Sequence, residues 1–254
     1  MIRGIDVSHW NDRIDWQAVA ADGVRFVFIK AGSDHSYGGF TPDKAFERNM
    51  AGAAAAGIPI GVFSYSYARS VEAVSVGAER LLEQLEPYRP LIRWPVAYDV
   101  EEDYQKAYGK STVTAMCNTF CAHVAAAGYV PLVYASKDWF TNYIDAGALK
   151  ADVWLAHYTG AGGKTSYTGP WAVHQYSETG TVAGIRGDVD MDVSLVDYAA
   201  ELDLPAEGPP DEPDVWAETA WAAAYDAGIL DGTRPRDSLT RQELSVILQR
   251  VGLI

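Results

Sequence analysis

The 254-residue sequence has few cysteines, a shortage of basic residues and no long apolar run. Its two cysteines, Cys117 and Cys121, are too few for a disulfide framework. Lys and Arg number 20 against 34 Asp and Glu, and the net charge of −14 argues against a nucleic-acid partner. Apolar runs break at Lys30, Ser64 or Asp99, well short of the roughly 20 residues that span a bilayer, so no membrane association is predicted.

Secretion signals and metal-binding patterns are also missing. The N-terminus MIRGIDVSHW lacks the apolar segment and cleavage site of a secretory signal, so we expect no signal peptide. Cys117 and Cys121 share a predicted helix face that His123 does not share, and no fourth ligand is near. We therefore predict two buried free thiols, no metal and no cofactor.

Strand-like and helical patterns alternate over the first 200 residues or so. The eight candidate strands are IRGIDVSH, VRFVFIKAG, PIGVFSYSYA, PVAYDVE, YVPLVYAS, DVWLAHY, AVHQYS and VDMDV. This alternation implies parallel strands with right-handed crossovers, and eight strands favour a β/α barrel over an open doubly wound sheet. Connections after YVPLVYAS are short and Gly-rich. We predict an α/β fold, an irregular TIM-like barrel with reduced helices in its last strands.

Composition changes at LDLPAEGPPDEPDV, which has the Pro content of a linker. Two amphipathic helical patterns follow, WAETAWAAAYDAGI and LTRQELSVILQRVG. The predicted organisation is a catalytic barrel over residues 1–204, a Pro-rich linker over 205–213 and a small all-α module over 214–254.

Acidic residues recur where the predicted strands end. Asp99 and Glu101 in WPVAYDVEEDY lie roughly 6.6 Å apart at Cα on a strand and point the same way. Asp6 and Asp190 have the same inward parity on other strands. Crowded carboxylates hold protons more tightly, so one can act as a general acid while others stay ionised, as glycosidic cleavage requires.

Seven short motifs resemble the glycoside hydrolase family 25 muramidases, the Chalaropsis-type lysozymes. They are GIDVSHWNDRIDW, GVFSYSYA, YDVE, VYAS, WLAHY, HQYS and VDMD. The resemblance implies a β/α barrel that hydrolyses the bond between N-acetylmuramic acid and N-acetylglucosamine in bacterial peptidoglycan.

The same resemblance implies roles for individual residues. Glu101 is the general acid and base, and Asp99 is its partner at the anomeric carbon, either as nucleophile or in support of the substrate's acetamido group. Asp6 and Asp190 hold substrate and tune this pair. Asp192 is an alternative to Asp190, because VDMD offers two acids of equal parity. The implied groove-lining residues are Tyr65, Tyr134, Trp154, Tyr158 and Gln175.

The C-terminal segment resembles a single S-layer homology motif through GILDGT, LTRQEL and four residues, Trp216, Asp231, Thr240 and Arg241. The resemblance implies binding to a secondary cell-wall polysaccharide. Such motifs usually occur in three copies, so homo-oligomerisation or a helical cap on the barrel are alternatives.

These features predict a peptidoglycan hydrolase of the phage endolysin type. Such an enzyme stays in the host cytoplasm until it is released to the cell wall; an extracellular bacterial autolysin is the alternative. A non-catalytic wall-binding protein on a degenerate barrel is the rival function, and the presence of all four expected acids argues against it.

Overall fold

A computed structural model describes residues 1–202 and 218–227, which contain nine strands and seven α-helices. Met1–Ala199 forms one compact unit, and the second unit begins at Ala200. The strands are β1 Ile2–Val7, β2 Phe26–Asp34, β3 Phe40–Pro42, β4 Ile60–Tyr65, β5 Ile92–Asp99, β6 Pro131–Ser136, β7 Asp152–Ala156, β8 Val173–Gly180 and β9 Val189–Ser194. The helices are α1 Trp16–Ala21, α2 Phe46–Ala55, α3 Val71–Leu85, α4 Lys110–Ala126, α5 Lys137–Asn142, α6 Tyr198–Leu202 and α7 Glu218–Asp226.

Eight strands close into a barrel in the order β1, β2, β4, β5, β6, β7, β8, β9, with β9 returning to β1. The short strand β3 pairs with β2, as a hairpin beside the barrel. Helices thin out as predicted: α5 has six residues, and no helix separates β7 from β8. The prediction of an irregular barrel is confirmed.

The prediction of an all-parallel barrel is wrong for β9, which runs antiparallel to both β8 and β1. Only residues 181–188 join β8 to β9, and a parallel crossover needs a dozen or more residues. The start of β9 therefore lies at the barrel mouth, where the other strands end. This reversal makes Asp190 the register partner of Asp6 on β1.

Two apolar clusters lie on opposite faces of the barrel wall. The alternation of each strand sends Ile5, Val7 and Tyr98 outward, where they join the cluster that packs against the helices. Tyr98 stacks on Phe120 of α4 at 4.4 Å between ring centroids. The inner cluster fills the barrel and includes Phe26, Phe28, Phe63, Trp94, Leu132 and Trp154.

Local sequence sets several helix starts. Ser70 accepts a hydrogen bond from the backbone N–H of Ala73 at the start of α3, and Ser136 accepts one from Trp139 at the start of α5. Ser136 also ends β6, so this turn connects strand to helix directly.

Three further predictions concern the cysteines, membrane-spanning helices and the C-terminal part of the chain. Cys117 and Cys121 are buried, free thiols on α4, as predicted. Within residues 1–202 and 218–227, no helix is long and apolar enough to cross a membrane. The linker at 205–213 and the residues Trp216, Asp231, Thr240 and Arg241 lie outside the described residues.

Candidate active site

Four acidic residues meet at the mouth of the barrel, and a fifth, Asp192, lies buried beneath it. Asp6 comes from β1, Asp99 ends β5, Glu101 lies two residues beyond it, and Asp190 and Asp192 come from β9. Asp6, Asp99 and Asp192 are buried, Asp190 is half-buried and Glu101 is exposed. The predicted catalytic residues are thus brought together.

Glu101 is not on the strand, contrary to the prediction. β5 ends at Asp99, and Glu101 lies in the loop that leads to a short 3-10 helix at Asp103–Tyr108. The strand spacing therefore does not apply to this pair. Its members differ in access, because Asp99 lies in the floor of the mouth while Glu101 is open to solvent.

Both members of the pair have raised pKa values. Burial, followed by the charge of Glu101, raises the pKa of Asp99 well above its ordinary value. The side chain of Glu101 is exposed, but the surrounding wall of the mouth removes part of its hydration and raises its pKa, with the charge of Glu102 adding to the effect. The Lys30 ammonium opposes both shifts.

Lys30 is a site residue that the sequence reasoning missed. It lies on β2, four residues after Phe26 and two after Phe28, both of which face the barrel interior. Its Nζ lies 4.6 Å from the centre of the Tyr65 ring. The available signal was the inward parity of a lysine within the apolar run VRFVFIKAG.

Tyr65 ends β4, and its phenol donates a hydrogen bond of 2.8 Å to Oε1 of Glu102. The family motifs assigned no role to Glu102. The contact joins the end of β4 to the loop that carries Glu101, so Tyr65 lines the mouth and also holds this loop in place.

Gln175 on β8 connects several predicted site residues. Its Nε2 donates to Oδ2 of Asp6 at 2.7 Å. Its Oε1 accepts hydrogen bonds from Tyr134 at 2.7 Å and from Tyr158 at 3.1 Å. Gln175 is buried, so it orients Asp6 and the two phenols from within the wall.

Trp154 and Tyr158, both predicted to line the groove, differ in access. Tyr158 follows β7 and is 49% exposed at the mouth. Trp154 is 1% exposed and stacks on Phe28 inside the barrel. Its indole N–H donates to Oδ1 of Asp192 at 2.8 Å, so in this structure it supports the acids from below.

The two acids of VDMD occupy different depths. Burial and the charge of Asp6 raise the pKa of Asp190 to about 8, and Asp190 retains access to solvent. Asp192 is fully buried beneath the mouth. Only Asp190 is placed to meet a substrate, which favours it over Asp192 as the predicted fourth acid.

Exposed aromatic rings surround the mouth on loops that follow the strands. Trp10 follows β1 and is 83% exposed, with its ring 4.5 Å from that of His9. Tyr37 lies between β2 and β3, and Tyr67 follows β4. Flat rings with an exposed face suit the apolar faces of sugars.

No cluster of three or more His, Cys, Asp or Glu side chains suited to a metal ion occurs in the described ranges. The side chains that the structure places at this mouth include carboxylates, phenols and the ammonium of Lys30.

Comparison with known proteins identifies the family. Residues 5–185 match the sequence profile of the glycosyl hydrolases family 25. The chain belongs to glycosyl hydrolase family 25. Membership confirms the predicted glycoside hydrolase class. The matched region runs from residue 5, within β1, to residue 185, before β9, so it includes the mouth residues except those of β9.

One of the relatives is a protein named as a lysozyme. Lysozyme M1 of Streptomyces globisporus is 32% identical over 201 residues, covering 74% of this chain and 66% of that protein. This family 25 chain thus spans about two thirds of the length of that relative.

Among solved structures, a lysozyme of Streptomyces coelicolor is 25% identical with a TM-score of 0.63, covering 80% of this chain and 96% of that one. The catalytic domain of endolysin ply40 from bacteriophage P40 of Listeria monocytogenes is 24% identical with a TM-score of 0.67, covering 80% and 97%. The second likeness concerns the fold alone.

Proposed function

We propose that this protein is a peptidoglycan N-acetylmuramidase that cleaves the β-1,4 bond between N-acetylmuramic acid and N-acetylglucosamine. Family 25 membership and the lysozyme relatives support the activity. The observation that carries the proposal is the unequal access of two neighbouring acids: Asp99 is buried, and Glu101 is open at the same mouth.

This inequality suits a division of labour. Glu101, with its raised pKa, holds its proton more firmly than an ordinary glutamate does and can pass it to the departing glycosidic oxygen. Asp99, aided by the Lys30 charge, is placed beneath to offset the positive charge that develops at the anomeric carbon. Ionised Glu101 then takes a proton from the incoming water.

Asp99 has two chemically distinct ways to assist. Its carboxylate can attack the anomeric carbon directly, or it can orient the substrate's acetamido group for the attack. Oδ1 of Asp99 is buried and accepts no hydrogen bond from the described part of the chain. The described residues therefore supply no donor that would compete with the substrate for this oxygen.

Asp6 and Asp190 are assigned to holding the sugar. Gln175 fixes Asp6 through a 2.7 Å hydrogen bond, and Asp190 lies opposite Asp6 in the strand register. Tyr158 adds an accessible phenol on the adjoining wall.

The test uses purified peptidoglycan of defined composition, with the products analysed by mass spectrometry after borohydride reduction. A muramidase leaves reducing ends on muramic acid. We expect Glu101→Gln to lower turnover at least about 1000-fold with its thermal unfolding midpoint retained. The control is Asp103→Asn, because the Asp103 side chain is 89% exposed and pairs only with Lys106 in the described structure.

Reducing ends on glucosamine would instead identify a glucosaminidase. Full activity in Glu101→Gln would reject Glu101 as the acid. The rival function, wall binding by an inactive barrel, predicts no products from the unmodified protein, and the same assay excludes or establishes it.

For residues 214–254 we propose binding to a secondary cell-wall polysaccharide, on the support of the S-layer homology resemblance. The full-length Trp216→Ala variant should co-sediment with intact walls less than the wild type does. With walls stripped of that polysaccharide, the variant and the wild type should co-sediment equally. A lower mass in light scattering for the variant would favour the alternative, homo-oligomerisation.

We also propose that the protein acts as a phage endolysin, retained in the host cytoplasm until the membrane is breached. The likeness of the barrel to the fold of a phage endolysin supports this role. Expression in a susceptible host should cause lysis only when a membrane-permeabilising protein is co-expressed. Lysis without that protein, together with enzyme in the medium, would favour an exported autolysin.

A further inference from the structure

Asp192 is a buried acid for which the mechanism above has no use. It lies on β9, two residues after Asp190, and is opposite Gly4 of β1 and Gln175 of β8 in the strand register. Strands β1 and β8 thus flank Asp192 on both sides, and its side chain is fully buried. A carboxylate at such a depth is unstable unless its charge is compensated.

The hydrogen bonds of Asp192 account for only one of its oxygens. Oδ1 accepts the indole N–H of Trp154 at 2.8 Å. Oδ2 is buried and receives no N–H or alcoholic O–H from the residues that the structure describes. The carboxyl group of Asp6 lies within hydrogen-bonding distance of the Asp192 carboxyl.

Asp6 has a matching arrangement. Its Oδ2 accepts the amide of Gln175 at 2.7 Å. Each carboxyl group therefore has one neutral N–H donor, and the two groups face one another. Two adjacent carboxylates repel strongly in a buried site, whereas one proton between them supplies the missing hydrogen bond and removes one charge.

Among the residues that the structure describes, the groups that act most strongly on Asp6 and Asp192 include no cation. The charged and titratable side chains around the pair are Lys30 on β2, Asp99 and Glu101 at the end of β5, Tyr134 on β6, Tyr158 after β7, Tyr176 and Glu178 on β8 and Asp190 on β9. Lys30 acts on the Asp99–Glu101 pair. The other acids carry the same sign as Asp192 and favour retention of the proton.

We propose that Asp6 and Asp192 hold a single proton between them, and that Asp192 is thereby a positioning residue that fixes the carboxyl group of Asp6 for the sugar substrate. The part concerning substrate rests on the proposed muramidase function; the shared proton does not. In agreement, burial and the neighbouring charges raise the pKa of Asp192 to about 8 and that of Asp6 well above its ordinary value.

A specific consequence distinguishes this arrangement from simple packing. Asparagine at position 192 can accept from Trp154 through its carbonyl oxygen and donate to Asp6 through its amide. It therefore reproduces the shared hydrogen bond without a titrating group. Alanine provides neither contact.

The deciding experiment follows aspartate side-chain carboxyl carbons by carbon-13 NMR in the full-length protein, from about pH 5 to about pH 10. The wild type should show a carboxyl titration above pH 7 that disappears in Asp192→Asn. Asp190 titrates in the same range, so Asp190→Asn is the matched control and should keep the signal of the pair.

Full ionisation of both Asp6 and Asp192 at pH 7 in the wild type, or an unaltered titration in Asp192→Asn, would overturn the shared proton. This readout needs no turnover, so it stands even where the muramidase assignment fails.

Turnover on peptidoglycan then tests the positioning role. Asp192→Ala should lower kcat/KM about 10- to 100-fold, and Asp192→Asn should recover most of that loss. Equal activity of the alanine variant and the wild type would reject the role. If the alanine variant fails to fold, the asparagine variant decides the question. Asp192→Asn must lose the titration above pH 7 and remain active. A folded but inactive Asp192→Asn would also reject the positioning role.

Discussion

The phenol of Tyr65 donates a hydrogen bond of 2.8 Å to Oε1 of Glu102, the residue that follows the proposed general acid Glu101. Glu101 lies beyond the last residue of β5, so the strand ladder does not hold it. The Tyr65–Glu102 contact links its loop to the end of β4. Lys30 lies over the same phenol ring, so the Tyr65 side chain contacts both the Lys30 ammonium and the loop that carries Glu101.

Removal of that phenol should therefore impair catalysis more than folding. We expect Tyr65→Phe to reduce kcat/KM about 5- to 50-fold, because the Glu101 loop loses an anchor and the substrate loses a polar contact. Its unfolding free energy should fall by only about 1 kcal/mol. Tyr88→Phe is the control for both measurements, because Tyr88 lies just before the start of β5, at the end of the barrel opposite the mouth. An unaltered kcat/KM would contradict the anchoring role.

Replacement of Lys30 by methionine should displace the pH profile of kcat/KM. The Lys30 charge lowers the pKa values of Asp99 and Glu101, so its loss raises both. Because Asp99 must be ionised, its higher pKa moves the acid limb of the profile to higher pH. Because Glu101 must be protonated for the first step, its higher pKa moves the alkaline limb in the same direction. Lys44→Met, at an exposed position, is the control for the loss of a charge. A profile that shifts to lower pH would contradict this electrostatic role.

The strand residues of the site were predictable, and the loop and polar connections were not. Alternation along a strand places Asp6 and Asp99 inward and Tyr98 outward, and the structure agrees. The end of β5 depends on hydrogen bonds with neighbouring strands, so the loop position of Glu101 was not visible in its spacing from Asp99.

The reversal of β9 and the role of Gln175 illustrate what tertiary structure adds. A short connection at 181–188 hinted at an antiparallel return, but strand-like periodicity carries no direction. Gln175 contacts Asp6 across 169 positions of sequence and also meets Tyr134 and Tyr158. Such a network depends on which strands become neighbours. The family resemblance named these residues as lining the groove but did not indicate the hydrogen bonds between them.

Gly4 on β1 should be intolerant of a larger side chain. A Cβ at this position would lie 2.2 Å from the Phe26 ring, which is fully buried in the inner cluster. We expect Gly4→Ala to lower the unfolding free energy by about 2 kcal/mol or more, since Phe26 stacks on Trp94 and has little room to move. Gly147→Ala is a matched control, because its nearest neighbour would be 3.5 Å away. Equal urea midpoints for the two variants would contradict the close packing.

Asp34 should make the stability of the barrel depend on pH. It is buried behind the mouth, where Oδ2 accepts the phenol of Tyr98 at 2.8 Å and Oδ1 accepts the backbone N–H of Tyr67. Burial outweighs these bonds and raises the pKa of Asp34 from 3.8 to about 6. The folded state therefore binds the proton more tightly than the unfolded chain does, and this advantage is complete below about pH 4 and lost as the pH rises through about 6.

Asparagine at position 34 removes that titration. The unfolding free energy of Asp34→Asn, relative to the wild type, should increase between about pH 4 and pH 6 and then level off, by up to roughly 3 kcal/mol. Urea unfolding at several pH values measures this difference, with Asp103→Asn as the control for the same substitution at an exposed position. A difference that is constant across the range would mean that Asp34 has the same proton affinity in both states, and its contacts with Tyr98 and Tyr67 would then fully offset its burial.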